Sequence, residues 1–264
     1  MGVLDGKICV VSGASRGLGE AMAVGFAEAG AAVVLAARSV DDLERVRQRC
    51  TDAGAEWAAV APTDVTEPDQ VHALVDGVLS DHGRIDCFVA NAGTSYGMLT
   101  DKRYQELFTY DFDVVEQIFR VNAIGIWLCM KEALPVMKDG SSFVVVGSET
   151  GRMASAGSGI YAVSKVTNDT LTMIAAKEMA ERGVRVNRLT PGGMVDTQLF
   201  GPNGMSEQLK QHVPWSETDV IVPAAVWLAS DDSAGFTGQF VVAKEFNGRS
   251  VEETKAALAA AESQ

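Results

Sequence analysis

The chain reads as an α/β protein, a single domain over 1–264 in which a parallel sheet is doubly wound between two helix layers, α/β/α. Three features point there. Short apolar runs of strand length alternate with helix-period segments, the order that a parallel sheet covered on both faces requires. The first run passes at once into a glycine-rich turn, SGASRGLG, which opens a helix. The 264 residues, 47% hydrophobic, can bury one large core.

Each element follows from its own pattern. Apolar runs at 7–11, 31–37, 56–61, 85–90, 143–146, 184–190 and 239–243 are the expected strands. Between them lie helix patterns: an Ala-rich one ending at Gly30, a charged one over 41–53, an amphipathic one over 67–82, and a long one over 112–137. A further helix runs from the region of Tyr161 to Arg182-Gly183, and another spans 223–230, opening at Pro223. The segment 194–212 carries glycines, Pro202 and the apolar Leu199, Phe200 and Met205, and is expected to be a lid over a substrate. Residues 247–264 form a helical tail with a capping-box start at Ser250 and Glu253.

Composition narrows the partners. A formal charge of −13 and pI near 4.7, with no compact basic block, exclude nucleic acid and anionic membrane as expected ligands. Four cysteines without a C-x-x-C pair point to a reduced cytoplasm. Three histidines, none in ligand spacing, predict no metal site. The apolar stretch near 220–229 is interrupted by Pro223 and too short to span a bilayer, and no targeting segment is expected.

Chemistry concentrates in two stretches. In the first turn, Gly13, Ser15, Arg16, Gly17, Leu18 and Gly19 lie between strand and helix, where small residues let backbone N–H groups approach a pyrophosphate at a helix N-terminus. At the end of the second strand stand Arg38-Ser39 rather than an acidic residue. With Arg16 they suit a 2′-phosphate, so NADP(H) is favoured and NAD(H) remains possible.

In the second stretch, SETGRMASAGSGIYAVSK, Tyr161 and Lys165 stand four apart and share one helix face. A phenol near pKa ~10 needs about 4 kcal/mol to reach ~7, and one cation at ~4 Å in an effective dielectric of ~20 supplies about that. Ser148, delivered by the preceding strand, can hydrogen-bond the same substrate oxygen. Pro191-Gly192 ends the sixth strand, where glycine permits close backbone approach.

A strand-borne Ser thirteen residues before Y-x-x-x-K, the glycine turn and the triplet Asn91-Ala92-Gly93 together resemble the compact short-chain dehydrogenase/reductase family, along nearly the whole chain. The resemblance implies a Rossmann-like fold and hydride transfer between nicotinamide and a carbonyl or secondary alcohol of a small, partly apolar substrate. By the same resemblance Asp64 receives the adenine amino group and Val65 packs on the ring, Asn91, Ala92 and Gly93 are scaffold beside the cofactor, and Asn122 positions a relay water. Lys165 binds the nicotinamide ribose next to Pro191 and Gly192. Thr197, one residue later than usual, matches the family threonine, and dimers or tetramers form through the helices bearing Asn122 and Tyr161. Three readings stand beside this one: an NAD-dependent member, an NADP(H)-binding sensor without turnover, and S-adenosylmethionine binding on the glycine turn. The end of the chain departs from the family, with Ala243-Lys244-Glu245-Phe246 where D-G-G is common.

Overall fold

A computed structural model describes residues 2–100, 106–153, 159–201, 203–250, 252–254 and 256. Its main sheet is built from β1 (Ile8–Ser12), β2 (Ala32–Ala37), β3 (Ala58–Pro62), β4 (Cys87–Ala90), β5 (Ser142–Val146) and β6 (Arg185–Thr190). The short strands β7 (Met194–Val195) and β8 (Trp215–Ser216) pair with each other, and β9 (Phe240–Val242) completes the main sheet. Seven parallel strands lie in the order β3-β2-β1-β4-β5-β6-β9. The winding reverses between β1 and β4, the place where a doubly wound sheet opens a crevice at its carboxyl edge.

The helices are α1 (Gly17–Glu28), α2 (Val40–Asp52), α3 (Pro68–His82), α4 (Tyr96–Leu99), α5 (Phe112–Phe119), α6 (Gly125–Ala133), α7 (Thr150–Met153), α8 (Gly159–Glu178), α9 (Glu207–His212), α10 (Val222–Ala229) and α11 (Ala243–Phe246). Alternate residues of one strand feed opposite layers. Cys9 and Val11 of β1 pack with Met22, Phe26, Leu43 and Leu228 under α1, α2 and α10. Ile8 and Val10 pack with Val71, Ile126 and Ala175 under α3, α6 and α8. Both faces are therefore apolar, as the near-continuous hydrophobic strands demand.

The observed elements refine the sequence expectation at four places. The helix expected over 112–137 is interrupted by a π turn at Arg120–Ile124, where the buried Asn122 turns its side chain toward Thr94. The last strand is shorter, since Ala243 already starts α11, and the third begins at Ala58 rather than 56. The expected lid 194–212 holds β7, a 3-10 turn at Gln198–Phe200 and α9, and its Met205 is buried. In the tail, Ser250 N–H donates to Glu253 Oε2 at 2.7 Å and Glu253 N–H to Ser250 Oγ at 3.2 Å, so the capping box forms; most of 247–264 lies outside the described residues.

Candidate active site

The carboxyl edge of the sheet gathers the turns that follow β1, β4, β5 and β6. After β1, Gly13 and Gly17 take φ of 66° and 60°, in the left-handed region. A methyl group at Gly19 would overlap the Gly13 carbonyl and the Asn91 amide. Asn91 sits at the end of β4 and braces this turn: Nδ2 donates to Ser12 O at 3.0 Å and Gly13 O at 3.1 Å, while its N–H and that of Ala92 donate to Ser12 Oγ. Ser12 Oγ in turn donates to Val89 O at 3.2 Å. At Gly13 and Gly19 the turn leaves no room for a side chain, so backbone faces the start of α1, which fits a pyrophosphate there.

Around the cradle, Arg16 flanks α1 as its N-cap and Ser15 O accepts from Arg45 Nη2 at 2.9 Å. Arg38 is 70% exposed with Nη1 3.8 Å from Asp64 Oδ2, while Asp64 Oδ1 accepts from Thr66 N–H and Oγ1. Val65 is buried and lies against Gly125. Ser39 is the N-cap of α2. Thr197 reaches the turn despite its extra residue: a methyl at Gly17 would lie 3.4 Å from Thr197 Cγ2. A cleft of ≈ 800 Å³ opens beside it, lined by Arg16, Gly17, Glu20, Arg45, Arg49 and Thr197 among others, on the outer side of α1 and away from Ser148 and Tyr161.

The reaction end lies past β5 and along α8. The Tyr161 hydroxyl faces the Ser148 side chain, and Ser148 Oγ donates to Thr150 Oγ1 at 3.1 Å. Lys165 is 4% exposed, and its Nζ donates to Val146 O at 3.1 Å. A methyl at Gly93 would come 3.4 Å from both Lys165 Nζ and Asn122 Oδ1, so glycine there keeps the space beside the lysine open. The amide of Asn122 is fully engaged: Oδ1 accepts from Thr94 N–H at 2.8 Å, and Nδ2 donates to Thr94 O at 2.8 Å and Ser164 Oγ at 2.9 Å. Ser95 Oγ donates to Leu199 O at 2.6 Å, joining the turn after β4 to the 194–212 segment.

The electrostatics correct one expectation. Lys165 is not aimed at the Tyr161 hydroxyl: Nζ is 6.0 Å from the ring centroid and donates to the Val146 carbonyl. Burial pushes the phenol up to about 12, and the neighbouring Glu149 adds to the rise. The nearby Ser148 hydroxyl and the Arg188 guanidinium oppose it without prevailing. Burial, with help from Arg188, pulls Lys165 down to about 8. Burial also raises Glu149, against the nearby backbone N–H dipoles and the Arg188 guanidinium, which pull the other way.

Several residues here escaped the sequence reading. Arg188 is fully buried on β6 and pairs with Asp169 on α8, and Glu149 faces it. Its signal was a charge inside a strand read as apolar, and Asp169 stands four residues past Lys165 on the same face. Near the cradle, Glu20 is paired with both Arg45 and Arg49. Among the described residues no group of three or more His, Cys, Asp or Glu is placed to hold a metal.

The family model described as enoyl-(acyl carrier protein) reductase matches residues 13–244. The uncharacterized oxidoreductase YxbG of Bacillus subtilis is 30% identical over 257 residues, covering 92% of this chain and 91% of that protein. Glycine betaine reductase ATRR of Emericella nidulans is 31% identical over 227 residues, 85% of this chain but only 17% of that much longer protein. Among solved structures, carveol dehydrogenase from Mycobacterium avium in complex with NAD superposes with a TM-score of 0.80 at 26% identity, covering 92% of this chain and 97% of that one.

Proposed function

The chain belongs to the short-chain dehydrogenase/reductase family, enzymes that bind NAD(P) and act on CH–OH and C=O groups, and on that premise we propose an NADP(H)-preferring oxidoreductase. Its substrate would be a small to medium, partly apolar carbonyl compound or secondary alcohol. The single observation carrying the reading is the approach of the Tyr161 hydroxyl to the Ser148 side chain, beside a buried Lys165 and on the same sheet edge as the glycine cradle.

The bound nicotinamide supplies or accepts the hydride. In reduction, Tyr161 Oη gives its proton to the carbonyl oxygen, and a phenol near 12 is reliably protonated for that task at neutral pH. Ser148 Oγ donates a hydrogen bond to the same oxygen as negative charge grows. Lys165 Nζ, oriented by the Val146 carbonyl, holds the nicotinamide ribose and feeds protons toward Tyr161. Both amide hydrogens of Asn122 are engaged, so a relay water that needs a partner here would sit on a main-chain carbonyl of the π turn. Gly13, Ser15, Arg16, Gly17, Leu18 and Gly19 would bind the pyrophosphate, with Asn91, Ala92, Gly93, Pro191, Gly192 and Thr197 closing around the nicotinamide half.

The cofactor preference rests on Arg16 and Arg38, which flank the place where the adenosine ribose would lie. Asp64 and Val65 line the adenine side. NAD is the second reading, favoured by the NAD-bound carveol dehydrogenase structure and by the approach of Arg38 to Asp64. Arg38→Ala should weaken NADPH binding by roughly tenfold or more, one charge-assisted bond, and leave NADH unchanged; equal loss for both would select NAD.

A homodimer or homotetramer is part of this reading, because Ile124, Trp127, Val163, Met173 and Ile174 leave apolar side chains exposed around α6 and α8. Light scattering at working concentration tests it, and a monomer would refute it. No helix among the described residues is long and apolar enough to cross a membrane. The four buried, free cysteines suit a reducing cytoplasm.

The main test is Tyr161→Phe, assayed by NADPH absorbance over a panel of ketones and aldehydes. Turnover should fall at least about a hundredfold, with cofactor affinity within a few-fold of the parent. Undiminished turnover would refute the assignment.

A further inference from the structure

Resting on that catalytic reading, we propose that Arg188 and Asp169 form a buried clamp that fixes the Ser148 hydroxyl relative to the Tyr161 phenol, making both positioning residues for proton transfer. The clamp begins as a sequence stripe. Tyr161, Lys165 and Asp169 follow one another at intervals of four on α8, so the face that carries the phenol and the amine continues one turn to a carboxylate. Across from it, the side chain of Arg188 leaves β6 beneath the end of β5.

Its guanidinium is 2% exposed and joins three elements. Nη1 pairs with Asp169 on α8. Nη2 donates to the carbonyl of Ser148 at 2.7 Å. The planar group lies over the Phe240 ring of β9, 3.9 Å from its centroid. Gly147 makes the passage possible, for a methyl there would overlap the guanidinium. A planar fork is the one cation shape that can address a helix carboxylate and a strand-end carbonyl at once while stacking on a ring.

The location explains the need. The last backbone bond tying this end of β5 to β6 is Gly147 N–H to Leu189 O at 2.9 Å. One residue on, the Ser148 main chain is held by a side chain instead, and that side chain is anchored to the helix bearing Tyr161. A displacement of about 1 Å in a reacting group can lower turnover roughly a hundredfold, so a tether between these two hydroxyl-bearing segments has a chemical use. Arg185, three residues earlier on the same strand, shows the contrast: it is buried too, yet it donates to the carbonyls of Leu228 and Ser230 and to Ser233, all remote from the site.

The test must separate positioning from folding. Removing one partner leaves the other buried and unpaired, whereas replacing both by apolar side chains commonly restores stability. The intact enzyme is therefore compared with Asp169→Leu/Arg188→Met and with Arg188→Lys, which keeps the charge but loses the fork. The expected result for the double variant is a melting temperature near that of the parent, NADPH affinity unchanged by fluorescence titration, and kcat down roughly ten- to a hundredfold. Should that variant not fold, Arg188→Lys decides, with kcat at least about tenfold down at unchanged NADPH affinity. Parent-like kcat in either folded variant overturns the clamp, as does a loss of NADPH affinity in step with kcat. Tyr161→Phe is run alongside: if it stays active the catalytic reading has failed, while an inactive Tyr161→Phe beside a fully active double variant sinks the clamp alone.

Discussion

The turn after β1 and the junction of β5 with α8 face the same crevice but are built by opposite means. The first is seven residues of backbone, Gly13 to Gly19, shaped by left-handed glycines and one bracing amide from Asn91. The second is assembled from side chains: Ser148, Tyr161 and Lys165, surrounded by Glu149, Asp169 and Arg188 drawn from three elements. Backbone architecture is cheap to bury because its polar groups satisfy one another. Charged architecture is not, and the reaction end carries that penalty in the raised phenol and the lowered lysine.

The contrast breaks most visibly at Gly19. If the turn depends on backbone contact, Gly19→Ala forces a methyl into the Gly13 carbonyl and the Asn91 amide. The expected cost is about 3 kcal/mol of stability together with loss of measurable cofactor binding, read by denaturant titration and isothermal titration. An alanine variant that binds cofactor normally would mean that the cradle relaxes and that its shape is not what holds the nucleotide.

At the other end, removing a functional group should stabilise. Lys165 titrates at about 8 in the folded protein and near 10.5 when unfolded, so between those values the unfolded chain binds more protons and stability rises with pH. Below pH 8 the full penalty for burying the ammonium is present. Lys165→Met lifts that penalty but forfeits the bond to Val146, for a net gain of about 2 kcal/mol at pH 7. The advantage should shrink as pH rises through 8 and be gone above about 10.5, while turnover is lost at every pH. Chemical denaturation of both proteins at pH 7 and pH 10 checks it; a variant less stable than the parent at pH 7 would show that the lysine is not strained by burial.

On α1, at the backbone end and away from the junction, a buried charge braces the turn. Burial would raise Glu20, but hydrogen bonds from Arg45 and Arg49 outweigh it and hold the carboxyl below its usual range. A depressed carboxylate contributes stability that is present above the unfolded pKa and disappears as pH falls through the folded one. Glu20→Gln should therefore cost about 1 kcal/mol at neutral pH, since both arginines are half-exposed. The difference should shrink once pH falls through the ordinary carboxylate range and vanish only below it, where the folded carboxyl is itself protonated. A difference that persists into acid would assign the effect to packing.

These two construction styles also explain what the sequence disclosed. The succession of strands and helices along the chain, the parallel doubly wound sheet and the glycine turn follow from hydrophobic period and glycine spacing, which are local, and all seven expected strands formed. The pairing of Tyr161 with Ser148 was also legible, because strand end and helix face are local facts. What stayed hidden was Arg188 with Asp169, nineteen positions apart in sequence yet adjacent in space. The same blindness misplaced the source of phenol control: a Coulomb estimate at ~4 Å assumed that the lysine faces the hydroxyl, whereas its Nζ turns to Val146. The interruption of the long helix at Asn122 depended on Thr94, 28 residues upstream, and so could not be read from the helix itself.

Gly77 sharpens the comparison from the quiet side. It lies in the interior of α3, exposed, with a helical backbone and nothing within 4 Å of where a Cβ would stand. No left-handed turn, close approach or cofactor uses its freedom, so it retains only the entropic cost of glycine in a helix. Gly77→Ala should raise stability by about 0.5–1 kcal/mol and leave kcat and cofactor affinity untouched. Set beside Gly19→Ala, the same chemical change then has opposite signs at two helical glycines, one pressed against the nucleotide turn and one facing solvent. A destabilised Gly77→Ala protein would mean that its surface has an occupant, and equilibrium unfolding at two protein concentrations would reveal it.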